Sequence, residues 1–214
     1  MGFFLCKESR NYPARLVPEK ESEDEMNKKI FDTKKMVLIA LLSAIAFVLM
    51  TFVKSPVKYL GFLEFEVSDV PAVIGGLAYG PIVGVAIVLL KNVIHLFFTS
   101  TAGVGELANF LVMASYVIPI AVFRKRKNKV LGFVAGTGAL VVAGVLVNAL
   151  ITVPFYLKVF GGEVVFNMVS ATIPSIDTVW ELVLIGITPF NLVKGIAVSL
   201  VGYYTWKAFR KVLK

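Results

Sequence analysis

Apolar residues recur in runs long enough to cross a bilayer, and polar residues gather between them. The runs cover 36–53, 67–79, 82–98, 107–123, 130–157 and 178–204, against a need of roughly 20 residues per spanning helix. They predict an all-α membrane protein with six transmembrane helices. The stretch 67–98 is too long for one ordinary span and is interrupted by "GGLAYGP", where Gly75, Gly76, Gly80 and Pro81 weaken continuous helix. A tight turn joining two helices is predicted there.

Composition agrees, because 57% of the residues are apolar, beyond what soluble domains carry. The formal charge of +8 would suit a nucleic-acid partner if it lay along one face, but it clusters at the ends of the apolar runs. "RKRKNK" at 124–129 and Lys207, Arg210, Lys211 and Lys214 carry the surplus, whereas Glu64, Glu66, Asp69, Glu106, Glu163 and Asp177 fall in alternate loops. Positive-inside logic then places both termini and the 124–129 loop in the cytoplasm, which an even number of spans permits. Cys6 is the only cysteine, so an intrachain disulfide is impossible and a thiolate metal site is disfavoured.

Residues 1–35 mix charges of both signs with little apolar surface and are expected to form a mobile cytoplasmic tail, ahead of a membrane domain at 36–214. "GFFLC" is too short for a secretory signal, and Met1 and Met26 stand as alternative starts. In the first helix Ala40 and Ala44 form a small-xxx-small step. Spacing alone is equally compatible with packing inside the chain and with docking of another helix. The loop "KSPVKYLGFLEFEVSDVP" is rich in aromatic and aliphatic residues and is expected to cover something. In "SDVP", Ser68 or Asp69 reads as an N-cap with Pro71 in the first helical turn, and for Asp69 the cap is preferred over a ligand role.

Polar side chains inside hydrocarbon are costly and mark functional interiors. Lys91, Asn92 and His95 lie in the outer half of the third helix, Glu106 and Asn109 in that of the fourth, and Asn148 in that of the fifth. In "ITPFNLVKGIA", Asn191 and Lys194 share a helical face roughly 20 Å down the sixth helix, with no carboxylate nearby in sequence. An unpaired lysine there must lose its proton or recruit water or a carboxylate. The set predicts a polar cup open to the outside with its floor near mid-bilayer, and not a continuous ion path. Lys91 reads alternatively as a snorkelling side chain and His95 as a packing hydrogen-bond donor, and a single histidine disfavours metal binding. No nucleophile and base pair or phosphate-cradling loop points to an enzyme. Glu106, Lys91 and His95 leave an autonomous ion-coupled secondary transporter as the competing reading, against which stands the lack of an evident inverted repeat.

"FEVSDVPAVIGGLAYGP", "LKNVIH", "GELANFLV" and "TPFNLVKGI", in that order, resemble the riboflavin-specific S components, the RibU family, of energy-coupling factor (ECF) transporters. The resemblance runs from about residue 36 to the end of the last helix. It implies a six-helix S-component fold in a prokaryotic plasma membrane. Riboflavin would be captured from outside as transported ligand, with FMN an open alternative and no cofactor. The implied partners are a transmembrane coupling subunit carrying two cytoplasmic ATPases. Asn148, Asn191 and Lys194 resemble the family's contacts to the flavin ring, the loop around Tyr59, Phe62 and Leu63 its lid, and Ala40 and Ala44 its docking motif. Asn92 and Asn109 join the candidate binding set. Phe62, Leu63, Phe155 and Phe190 are candidates for apolar cover of the ring.

Overall fold

In the computed structural model the described residues are 33–53, 59–60, 63–99 and 101–209, and they are overwhelmingly helical. Most of the expected tail, and Phe62, lie outside them. The helices are α1 (Thr33–Phe52), α2 (Val70–Tyr79), α3 (Pro81–Phe98, its last turn tightening to 3₁₀), α4 (Val104–Lys125), α5 (Val130–Phe160), α6 (Gly162–Ser170) and α7 (Val179–Phe209). Five of them, α1, α3, α4, α5 and α7, are long and apolar enough to cross a membrane. The expected second span is different. α2 has only 10 residues, about 15 Å of rise, because the segment before it does not continue as helix. Glu66, Ser68 and Asp69 in that segment are nonetheless buried, and irregular backbone at such depth is tolerated where protein surrounds it.

The predicted turn at "GGLAYGP" is present. Gly80 adopts φ +111° between α2 and α3, a conformation that favours glycine, and Pro81 then opens α3 at a position where no amide donor is needed. The two helices fold back on each other so closely that a Cβ on Gly84 would lie 3.1 Å from the carbonyl oxygen of Ala72 and 2.5 Å from Val117 of α4. α4 packs on α3 and α5, and α7 on α5 and α2. One apolar core fills this interior around Val73, Ile87, Tyr116, Val117 and Leu140, and a second gathers Leu60, Tyr156, Val169, Ile176, Leu182 and Ile187. α1 contributes least, with 17% of its apolar window buried.

α5 and α7 each contain a π-helical turn, Asn148–Thr152 and Leu182–Ile187. Each lies just before a proline, Pro154 or Pro189, whose missing N–H and bulky ring disturb the regular ladder. The wider turn redirects the carbonyls: Val153 N–H reaches Asn148 O, and the Thr188 hydroxyl donates to Val183 O at 2.8 Å. α6, which the apolar runs did not predict, is a short amphipathic helix burying Val165 and Val169.

The tight α2–α3–α4 contact makes Gly84→Val an overpacking change, expected to cost about 1–3 kcal/mol and to lower the thermal unfolding midpoint in detergent. Gly138→Ala, where an added methyl would meet nothing within 4 Å, is expected to leave the midpoint unchanged or slightly raised.

Candidate functional site

Lys194 sits one turn of α7 beyond Asn191, and both are buried. The counter-charge missing from the local sequence comes from the segment before α2. Lys194 Nζ lies 3.3 Å from Glu66 Oε1 and 3.7 Å from Asp69 Oδ2. Lys91 of α3, fully buried, pairs with Asp69 and donates to Ser68 Oγ at 2.7 Å. Two ammonium groups and two carboxylates therefore neutralise one another in the interior. Snorkelling of Lys91 is overturned, because its head turns inward to a carboxylate. The N-cap reading of Asp69 is overturned too: it occupies the cap position with helical φ and ψ and makes no side-chain cap bond, its carboxylate being drawn to the two lysines.

Glu66 is further held by Asn109 Nδ2 at 2.9 Å and Ser68 Oγ at 3.0 Å. Asn92 does not reach the cavity wall. Its amide donates to Val88 O at 2.8 Å and to Asn109 Oδ1 at 3.3 Å, which orients Asn109.

Glu66, Asn109 and Lys194 form part of the wall of a cavity of about 340 Å³ between α1, α3, α4, α5, α6 and α7, within the range of small-molecule sites. Asn109, Asn148, Asn191, Lys194 and Leu63 line it, as do Glu64, Glu66, His95, Glu106 and Thr152. Apolar and aromatic cover comes from Phe98, Met113, Tyr156, Phe160, Val165 and Phe190, but not from Phe155. Tyr59 stands behind the wall, its ring stacked on Phe190 at 5.6 Å between centroids and 7° between planes. Backbone bonds between Tyr59 and Leu63 of 2.8 and 2.9 Å close this part of the loop, and Leu60 is fully buried beside it.

Asn148 and Asn191 differ in state. Asn148 Nδ2 donates to Gly144 O of its own helix at 2.8 Å. Among the described residues, Asn191 Nδ2 is buried without a hydrogen-bond partner, as is Thr152 Oγ1. Such groups are rare in folded proteins and call for an explanation. The absence of a side chain at Gly144 makes room for the Asn191 amide, which would collide with any Cβ there. At the cavity's far end His95 Nδ1 meets Glu106 Oε1 at 2.9 Å, and Thr99 and Thr101 donate to Glu106 Oε2 at 2.8 and 3.1 Å. This fits the packing role read for His95 and ties the α3–α4 turn together.

Sequence reading missed Glu66, Thr152 and Tyr156 as cavity residues. The buried lysine requiring a carboxylate was the one signal toward Glu66. Ala40 and Ala44 are exposed on α1, so they are not used for packing among the described helices.

The comparisons agree with this architecture. Residues 34–204 match the family described as "ECF transporter, substrate-specific component". The chain is 31% identical over 185 residues to "Riboflavin transporter RibU" of Staphylococcus aureus (strain TCH60), covering 85% of this chain and 93% of that one. It is 34% identical over 176 residues to "Riboflavin transporter FmnP" of Bacillus subtilis (strain 168), covering 78% and 87%. A solved structure described as "Structure and mechanism of the S component of a bacterial ECF transporter" superposes with a TM-score of 0.64 at 28% identity, over 85% of this chain and 98% of that one. The chain thus belongs to the substrate-specific components of ECF transporters, a family of multi-pass membrane transport proteins and not of enzymes.

Proposed function

We propose that this chain captures riboflavin from outside the cell and delivers it to the energy-coupling module of an ECF transporter. The observation that carries the reading is the juxtaposition, on one wall of a cavity with aromatic and aliphatic cover, of the Lys194 ammonium and Asn191, whose amide nitrogen has no hydrogen-bond partner among the described residues. The pyrimidine edge of an isoalloxazine presents two carbonyl acceptors flanking one N–H donor. An Asn amide both donates and accepts, while Lys only donates, so Asn191, Lys194 and Asn148 together match that edge. Phe190, braced by Tyr59, supplies an aromatic surface of the kind that covers a flat ring. The relatives' names, both riboflavin transporters, point the same way.

Lys194 stays charged in this scheme because Glu66 and Asp69 neutralise it, which leaves its remaining donor capacity for a ligand carbonyl. Glu66 is thus a positioning residue for Lys194. The sixth crossing is made by α2 together with the buried segment 63–69, and both termini lie on the cytoplasmic side, where "RKRKNK" sits. The exposed Ala40–Ala44 face of α1 lets a helix of a transmembrane coupling subunit approach closely, with two ATPases supplying the energy.

Protein purified from flavin-containing medium is expected to release stoichiometric yellow flavin on denaturation and to quench added riboflavin fluorescence. A colourless preparation that does not quench would sink the proposal. Asn191→Ala and Lys194→Ala are each expected to weaken binding by about 1–3 kcal/mol, roughly 5- to 150-fold in Kd, read by fluorescence titration. Ala40→Leu with Ala44→Leu is expected to reduce co-purification of the coupling subunit while flavin affinity stays unchanged. Glu66→Gln, which takes a counter-charge from buried Lys194, is expected to lower the thermal unfolding midpoint in detergent near neutral pH.

A further inference from the structure

A second recess lies at the opposite end of the bundle, where α2 ends, α4 turns into α5 and α7 finishes. It measures about 630 Å³, and among the described residues its wall carries Arg124, Lys125, Arg126, Lys127, Lys129 and Lys207 and no carboxylate. Positive charge at a cytoplasmic end is what topology alone requires. Topology does not require a concave site of fixed shape, and this one is built. Arg124 Nη1 donates to Ala78 O of α2 at 3.0 Å. Lys129 Nζ donates to the Arg124 carbonyl and, at 3.0 Å, to that of Arg126. Val130 N–H is held by Asn128 Oδ1 at 3.0 Å, and the Arg126 guanidinium lies 5.2 Å from the centre of the Phe123 ring.

With Arg124 and Lys129 spent on the backbone, Lys125, Lys127 and Lys207 are exposed around the recess and form no ion pair among the described residues. Half-buried Tyr203 and Trp206 complete the wall, residue types that settle at the headgroup level of a bilayer. Beside the basic turn, Val122, Val130 and Leu131 are exposed apolar residues at helix ends. A ligand filling this place would carry negative charge on a head and apolar chains below it. We propose that the recess binds the phosphate-bearing headgroup of an anionic membrane phospholipid, with its acyl chains running along Val122, Val130 and Leu131.

The full chain in neutral detergent, offered phosphatidylglycerol and phosphatidylcholine, is expected to retain one phosphatidylglycerol per chain in native mass spectrometry and to gain thermal stability saturably. Replacing Lys125, Lys127 and Lys207 together by Gln is expected to weaken that binding by about 10- to 100-fold. The corresponding triple Arg variant is expected to keep it, and riboflavin quenching should be the same in all three proteins. Should the triple Gln variant fail to fold, Lys125→Gln, Lys127→Gln and Lys207→Gln singly provide the graded loss. Graded adducts without a dominant single lipid, equal retention of both lipids, or an unaffected triple Gln variant would overturn the proposal. Inorganic phosphate that alone stabilises the protein and displaces the lipid would overturn it as well, by assigning the recess to a free anion.

Discussion

An ammonium group in a hydrocarbon-facing bundle must be neutralised, and the course of this chain follows from that requirement. Lys91 and Lys194 lie on different helices and converge on Asp69, with Glu66 a second counter-ion for Lys194, and both carboxylates come from the four residues before α2. To deliver them the segment leaves helical geometry and enters the protein, which is why α2 is short and why Asp69 does not cap it. An ion pair of this kind contributes little net stability compared with an apolar core, but removing one partner leaves a buried charge uncompensated. Its gain is conformational: one loop is tied to α3 and α7 at a single depth.

The same neutralisation shapes the cavity. A lysine held by two carboxylates is fixed in orientation, and on the function proposed above a ligand would meet a donor set in place beforehand, which lowers the ordering cost of binding. Asn191 is placed by a different device, a glycine on the facing helix that makes room for its amide. The π turns on α5 and α7 add to this. They begin at Asn148 and end four residues before Asn191, and such turns often coincide with functional positions because they break the even spacing of side chains.

Charge also divides the bundle into two unlike ends. The cavity end carries Glu64, Glu66 and Glu106, the last two held by hydroxyls, amides or cations, whereas among the described residues the charged groups lining the recess at the other end are all basic. α1 is largely unburied, reaching the cavity through Met50 and presenting Ala40 and Ala44 outward. On the functions proposed above, capture of a solute, contact with a partner and contact with lipid fall on separate surfaces, so a change at one need not disturb the others.

Most of the helical architecture is legible in the amino-acid order because span length, the Gly80–Pro81 turn and the shared face of Asn191 and Lys194 depend on near neighbours along one helix. What needed the tertiary structure were the partners. Glu66 and Lys194 are 128 residues apart, and no local pattern links them. The diversion of Asp69 from cap to counter-ion, the inward turn of Lys91 and the withdrawal of Asn92 to support Asn109 each depend on groups brought in from elsewhere in the fold. α6 escaped notice because its apolar stripe is too short to stand out as a span. Local chemistry determined which side chains could not remain alone in a membrane; only the packing of distant segments decided which groups answer them.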